Sequence, residues 1–387
     1  MEPSATLAVT GKAKQLKREG KPVISFGAGE PDFDSPPSAI RFAKDAIDAG
    51  HTHYTQATGI PELKKAVTAY YEKRFSLSFP TDQVIVGAGA KPLIYSTLSC
   101  LIDPGDEVIV FSPAWVSYVE QIRLCGGEAA VVNTTSSGCV PLPEMVQRAI
   151  TNRTRGMLVN TPNNPTGAVY DAETLESLVR IAEENDLWII HDEIYERLVY
   201  GSAQHKNPVS LVPEAADRII IINGVSKAFA MTGWRIGYAI VPEWLSTKVG
   251  AFQGHLTSNP CSIAQWAALG AMLEAEQDVV KMHRIFDERR NSIVTLLEEM
   301  PYISFNKPDG AFYVFVNVEK TFGLSSEDKR IENDLDFCSS LLSSEYVAAV
   351  PGTAFLAPGH IRLSYSNSLE EIQEGMKRLH HFLGALR

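Results

Sequence analysis

Along most of the chain, short apolar runs rich in Ile and Val alternate with longer stretches in which apolar positions recur every three or four residues. The short runs, bounded by polar or Gly-rich punctuation, read as buried strands; the longer spacing reads as helices packed over them. Strands are predicted at Gln83 to Val86, Glu107 to Phe111, Gly156 to Asn160, Leu187 to Ile190, Arg218 to Ile222 and Arg235 to Val241. Regular alternation of this kind predicts an α/β fold with a mostly parallel central sheet. The predicted strands lead into polar segments: Gly87-Ala88-Gly89-Ala90-Lys91, Ser112-Pro113-Ala114-Trp115, Thr161 to Gly167, His191 to Tyr195, and a stretch around Lys227. Open sheets of this class bind their ligands at that edge.

From about Ser262 to Met300 the spacing becomes helical, with Trp266, Leu269, Met272 and Leu273 in phase. Three further strands, Ala311 to Val318, Tyr346 to Val350 and His360 to Ser364, then predict a smaller α/β domain. The expected division is a large domain over residues 38–285 and a small domain built from residues 1–37 and 286–387. The polar stretch Thr321 to Asp334 reads as a surface insertion or loop.

Composition narrows the partners. Lys and Arg number 35 against 46 Asp and Glu, a formal net charge of -11, so phosphate surfaces repel the chain and neither nucleic acid nor an anionic membrane is an expected partner. The five cysteines are odd in number, widely spaced and without a Cys-x-x-Cys pair, which predicts neither a disulfide framework nor a zinc knuckle and suits a reducing cytoplasm. Residues 1–10 lack the basic start and apolar core of a signal peptide, and no apolar run is long enough to span a bilayer. The histidines show no metal-ligand spacing, so no metal is expected.

The most specific chemistry lies in Gly224-Val225-Ser226-Lys227-Ala228-Phe229-Ala230-Met231-Thr232-Gly233-Trp234-Arg235-Ile236-Gly237. A lone lysine is usually a solvated one. Here Lys227 follows a buried strand among small residues, placed to condense with an aldehyde while Arg235 holds a phosphate; pyridoxal 5'-phosphate carries both groups. That cofactor also needs a carboxylate for its ring nitrogen, donors for its ring oxygen, an aromatic face and a phosphate cradle. Asp192 can supply the carboxylate, Tyr195 and Asn164 the donors, and Trp115 the face. Taken singly, each has a plain alternative as a cap, a turn residue or core packing. Gly87 to Lys91 resembles a phosphate loop in which small residues, Gly89 and Ala90 among them, let backbone N–H groups at a helix start approach an anion. It is not a dinucleotide fingerprint: the third glycine of G-x-G-x-x-G falls on Pro92, which weakens a dehydrogenase reading. Arg362, in an alternating strand, is either a solvated arginine or a two-pronged clamp for a substrate carboxylate, to which the Gly29 backbone could also donate.

Together these segments resemble the class I and II aminotransferases of the pyridoxal-phosphate fold type I. Within them the chain is most similar to the aspartate aminotransferase subgroup 1b, which includes prephenate aminotransferases. Pro3 to Thr6, Ala28 to Asp34, Ser112 to Tyr118, Asn163 to Gly167, Asp192 to Tyr195, the Lys227 segment and Ile361 to Tyr365 carry the resemblance. It implies ping-pong amino transfer between a dicarboxylic amino acid and a 2-oxo acid, with prephenate or aromatic amino acid transfer, or carbon–sulfur lysis, as rival activities. It also implies a homodimer with shared active sites, in which Tyr54 reaches the partner's cofactor phosphate while Thr6 and Lys91 recognise the substrate's distal carboxylate. The chain departs from better-known members at Pro92, after Lys91, and at Ser226, where some carry alanine; the loop is expected to form nonetheless, since proline is tolerated in a first helical turn.

Overall fold

Residues 5–326 and 329–387 are described in a computed structural model, with side chains from residue 11 onward. The central sheet has seven strands: Val84–Gly87, Glu107–Ser112, Glu128–Asn133, Thr154–Asn160, Trp188–Asp192, Ile219–Gly224 and Gly237–Ile240. Numbered in that sequence, their spatial order is first, seventh, sixth, fifth, fourth, second, third. Only the seventh runs antiparallel to its neighbours, so the sheet is mostly parallel, as the alternating pattern predicts. Trp188–Asp192 and Ile219–Gly224 are buried at every position, which is why they read as unbroken apolar runs rather than alternating ones. Their side chains still alternate: Ile189 and Ile221 enter one apolar layer, Ile190 and Ile220 the other.

In the central sheet one strand carries no pattern, and the last starts two residues later than its pattern predicts. Glu128–Asn133 is an edge strand with only Val132 fully buried, and its Ala129-Ala130 pair carries little β signal. The last strand begins at Gly237 rather than Arg235, because Arg235 takes a left-handed φ of 57° after the turn Thr232–Trp234.

A second sheet is antiparallel, in the order Val350–Pro351, His360–Ser364, Tyr313–Asn317, Ser304–Phe305. Ile24–Ser25 pairs with Val347–Ala348, and Phe26 shares a core with Met376 and Leu379, so the start of the chain packs with its end. The helical stretch from Ser262 breaks at Ala275 into Ser262–Glu274 and Glu276–Glu298. The expected division at residue 285 falls inside the latter helix, where Val279 joins the Leu269 cluster while Met282 and Phe286 join the core beneath the second sheet. The stretch 321–334 is not a free loop. Thr321, Ile331 and Asp334 are buried, and the Asp334 carboxylate accepts from Thr353 N at 2.7 Å and Thr353 Oγ1 at 2.8 Å. Among the described residues no helix is long and apolar enough to cross a membrane.

Candidate active site

The C-terminal ends of the central strands open onto a cavity of about 470 Å³, lined by Gly29, Lys91, Trp115, Asn164, Asp192, Tyr195, Ser226, Lys227, Arg235 and Arg362 among others. Ten residues from distant segments thus meet at the edge where an open α/β sheet binds ligands.

Lys227 is set by glycine. Strand Ile219–Gly224 ends so close to its neighbour that a Cβ on Gly224 would lie 2.8 Å from the Gly237 Cα, and the short helix Val225–Ala228 then turns the lysine into the cavity. Its ammonium donates to the Gly29 carbonyl. Burial, aided by the cations Arg362 and Arg235, pulls its pKa down to about 8 against the opposing pull of Glu30 and Asp192. The segment holding Gly29 is tied across the cavity mouth by Thr232 Oγ1 donating to Glu30 at 2.7 Å and by the forked pair Arg289–Asp32 at 2.6 and 2.8 Å.

Asp192 ends its strand almost fully buried, and burial raises its pKa to about 6. Tyr118 opposes that shift, its hydroxyl donating to Oδ2 at 2.6 Å, while Ile194 N donates to Oδ1 at 3.2 Å. The carboxyl is therefore mostly ionised at pH 7 and half neutral near pH 6. Replacing Tyr118 by phenylalanine removes a bond to the charged form, so the pKa of Asp192 must rise further. The expected result is an acidic limb of kcat/KM displaced to higher pH in Tyr118→Phe; a profile superimposable on wild type would exclude Asp192 as the controlling group.

Arg362 is 2% exposed. Its guanidinium lies 4.4 Å over the Tyr313 ring and 5.0 Å from that of Phe355, and it donates to Asn164 Oδ1 and the Gly27 carbonyl, each at 3.0 Å. Its Nε has no partner among the described residues. A buried cation with spare donor capacity is costly unless an anion completes it. Asn164 is fixed through its own N–H, which donates to Asn160 Oδ1 at 2.9 Å. Tyr195 and Tyr313 hydroxyls lie 2.9 Å apart, so Tyr195 reaches the cavity with its neighbour's help.

The other end of the cavity suits an anion. Helix Ala90–Leu101 starts at Gly89, whose φ of 103° excludes most side chains and whose absent Cβ would lie 2.4 Å from Arg235 Nη2. Arg235 donates to the Thr232 carbonyl at 2.9 Å and lies across that helix start, where first-turn N–H groups lack partners. Pro92 occupies the first turn without preventing the helix. Lys91 sits 4.7 Å from the Trp115 ring, its pKa lowered by burial and by Arg235. Trp115 stands edge-on to Tyr118, ring centres 5.2 Å apart. Glycine where a side chain would strike Arg235, an arginine with open donors and a half-buried Lys227 with a depressed pKa fit a phosphorylated aldehyde.

Among the expected residues, Tyr54 and Gly89 do not line this cavity. Tyr54 is 89% exposed. Thr6 falls in the first turn of helix Ala5–Arg18, but its side chain, like Pro3 and Ser4 altogether, lies outside the described residues. The sequence reading passed over Tyr118 and Tyr313. Tyr118 lies three residues beyond Trp115, at the start of helix Ser117–Leu124; Tyr313 lies 118 residues from Tyr195, and nothing local marks the pairing.

Comparison with known proteins agrees with this geometry. The family described as "Aminotransferase class I and II" matches residues 21–379. A probable aspartate/prephenate aminotransferase of Rhizobium leguminosarum bv. phaseoli is 41% identical, covering 100% of this chain and 98% of its own length. An aspartate aminotransferase of Geobacillus stearothermophilus is likewise 41% identical, over 100% of this chain and 97% of its own. The crystal structure of the Thermus thermophilus aspartate aminotransferase with maleate superposes with a TM-score of 0.93 at 40% identity, covering 99% of this chain and 97% of that one.

Proposed function

The chain belongs to the class I and II aminotransferases, and from that premise we propose that it exchanges amino groups between a dicarboxylic amino acid, aspartate or glutamate, and a 2-oxo acid in a ping-pong cycle that uses pyridoxal 5'-phosphate. The observation that carries the reading is the convergence of Lys227, Asp192 and Arg362 on one cavity with an anion cradle at its far end. When bound there, the cofactor supplies an aldehyde and an electron-withdrawing ring.

The residues divide the work. Lys227 would hold the cofactor through its aldehyde carbon, and its neutral amine would move a proton to and from the substrate α-carbon. A pKa of about 8 keeps a useful neutral fraction near physiological pH. Asp192 keeps a proton on the ring nitrogen, and Tyr195 and Asn164 serve the ring oxygen. Gly89, Ala90, Ser226 and Arg235 would cradle the phosphate, Trp115 would offer an aromatic face to the ring, and Arg362, with the Gly29 backbone, would orient the α-carboxylate. Lys91 and Thr6 receive the distal carboxylate. Relatives named for aspartate, and one solved with the dicarboxylate maleate, support that assignment. Prephenate is the second reading, favoured by the aromatic wall of Trp115 beside the Lys91 cation.

Single amino acids mixed with the cofactor-loaded protein should shift its visible absorbance when they react. Aspartate and glutamate are expected to do so; a shift with monocarboxylic amino acids alone would refute the dicarboxylate assignment, and turnover without a 2-oxo acid would indicate a lyase. A homodimer gives Tyr54 its role: an aromatic hydroxyl left 89% exposed on one chain suits a phosphate held by the other. Tyr54→Phe should weaken cofactor retention roughly 10-fold, the worth of one hydrogen bond to a charged group, measured by cofactor dissociation. The five free cysteines fit a cytoplasmic setting.

A further inference from the structure

On the other side of the strand that carries Asp192, we propose a binding site for a divalent transition-metal ion of the zinc class, formed by His191, Glu193 and His205. Successive side chains of a strand face opposite ways. Asp192 turns to the cavity, so His191 and Glu193 turn into the opposite layer, where Tyr71 and Ile221 lie. His205 returns to them from the loop beyond Tyr200. The grouping is invisible as a sequence spacing because a strand end and a loop contribute to it.

His205 shares a hydrogen bond with Glu193, whereas His191 has no partner and stands at a distance that suits a shared ion. The donor atoms of the three residues all lie within 4.8 Å of one another. A tetrahedral zinc ion with ligands at about 2.0–2.1 Å separates its donors by roughly 3.3 Å. His191 Nε2 lies 3.3 Å from Glu193 Oε2, and His205 Nε2 lies 2.8 Å from the same oxygen, so one edge is at the metal spacing and the other must open by roughly half an ångström. His191 is fully buried, yet neither of its ring nitrogens has a hydrogen-bond partner; its approach to Glu193 is close but badly aligned for a proton. Buried polar groups left in that condition are rare. An ion on Nε2 would supply the missing partner.

The surroundings complete the picture. The Tyr71 hydroxyl donates to Glu193 Oε1 and Asn207 Nδ2 donates to Oε2 at 2.9 Å, orienting the carboxylate as supporting hydrogen bonds do around metal ligands. His205 and Asn207 also line a cavity of about 630 Å³, which offers a route for the ion and for water as a fourth ligand. The site is distinct from the cofactor pocket and does not depend on the reaction assigned to it.

The test uses untagged protein, cofactor-loaded, stripped with a chelator and titrated with zinc against a chromophoric competitor, then with cobalt to read ligand geometry. One ion per chain and a tetrahedral cobalt spectrum are expected. His205→Ala and His191→Ser should each weaken affinity by about 100-fold or more while leaving circular dichroism unchanged; His205→Asn, which keeps a polar group on the same loop, serves if alanine prevents folding. A wild-type chain that takes up no zinc at micromolar concentrations would overturn the proposal and leave the cluster as a proton-sharing one. Binding that persists undiminished in the folded variants would equally overturn it.

Discussion

Replacing Lys227 by methionine is expected to abolish amino transfer, a loss of at least roughly 10⁴-fold, while making the cofactor-free protein more stable near neutral pH. The two effects have one cause. An ammonium in this cavity is desolvated and faces two arginines, which is why its pKa falls to about 8 from an ordinary 10.5. Below pH 8 the lysine is charged in both folded and unfolded chains, and the full cost of burying that charge, on the order of 3 kcal/mol, weighs against folding. Between about pH 8 and 10.5 the unfolded chain binds the extra proton, so stability rises with pH through this window. Above it the penalty is gone. Methionine fills similar space without charge, and its advantage should be largest at pH 7 and vanish by pH 11; the lost bond to the Gly29 carbonyl reduces the gain but does not reverse it. Denaturant unfolding of both proteins at pH 7 and pH 10.5 reads the effect. A variant less stable than wild type at pH 7 would show that the lysine is not under electrostatic stress.

Arg362→Lys should lower kcat/KM by roughly 10²–10³-fold in both half-reactions. The charge survives this change, but the fork does not. A guanidinium can hold Asn164 Oδ1 and the Gly27 carbonyl while lying flat on the Tyr313 ring and still present N–H groups to a carboxylate. A lysine cannot meet these demands together. Since amino donor and 2-oxo acceptor both carry the α-carboxylate, the loss should fall on both and chiefly in KM. Lys91→Ala, by contrast, should impair dicarboxylic substrates and spare monocarboxylic ones. Steady-state kinetics with each substrate varied separates the two patterns, and equal losses for all substrates in Lys91→Ala would remove that residue from side-chain recognition.

The reasons why some features were legible in sequence are local ones. The central strands announced themselves because both faces are buried, and the Lys227 segment because two of its glycines, Gly224 and Gly237, are forced by contacts within angstroms. Glu128–Asn133 stayed hidden because an edge strand with one solvated face and two alanines has neither a run nor a clean alternation. The polarity of 321–334 suggested a loop, but Asp334 is polar and buried, its charge absorbed by Thr353. Arg362 could be read either as solvated or as a clamp; only the rings and carbonyl that surround it decide in favour of burial. The metal-like grouping of His191, Glu193 and His205 depends on a loop closure that no periodicity encodes.

The carbonyl that receives Lys227 belongs to a segment whose neighbours, Ile24 and Phe26, are embedded in the second core, whereas the lysine itself springs from the central sheet. That contact therefore links the second core to the central sheet. Whatever engages the amine elsewhere releases that contact, leaving Glu30–Thr232 as a tie to the same lysine-bearing segment and Asp32–Arg289 as an anchor at its flank. Three separate links, one of them on the reactive nitrogen, thus join the segment at the cavity mouth to its surroundings.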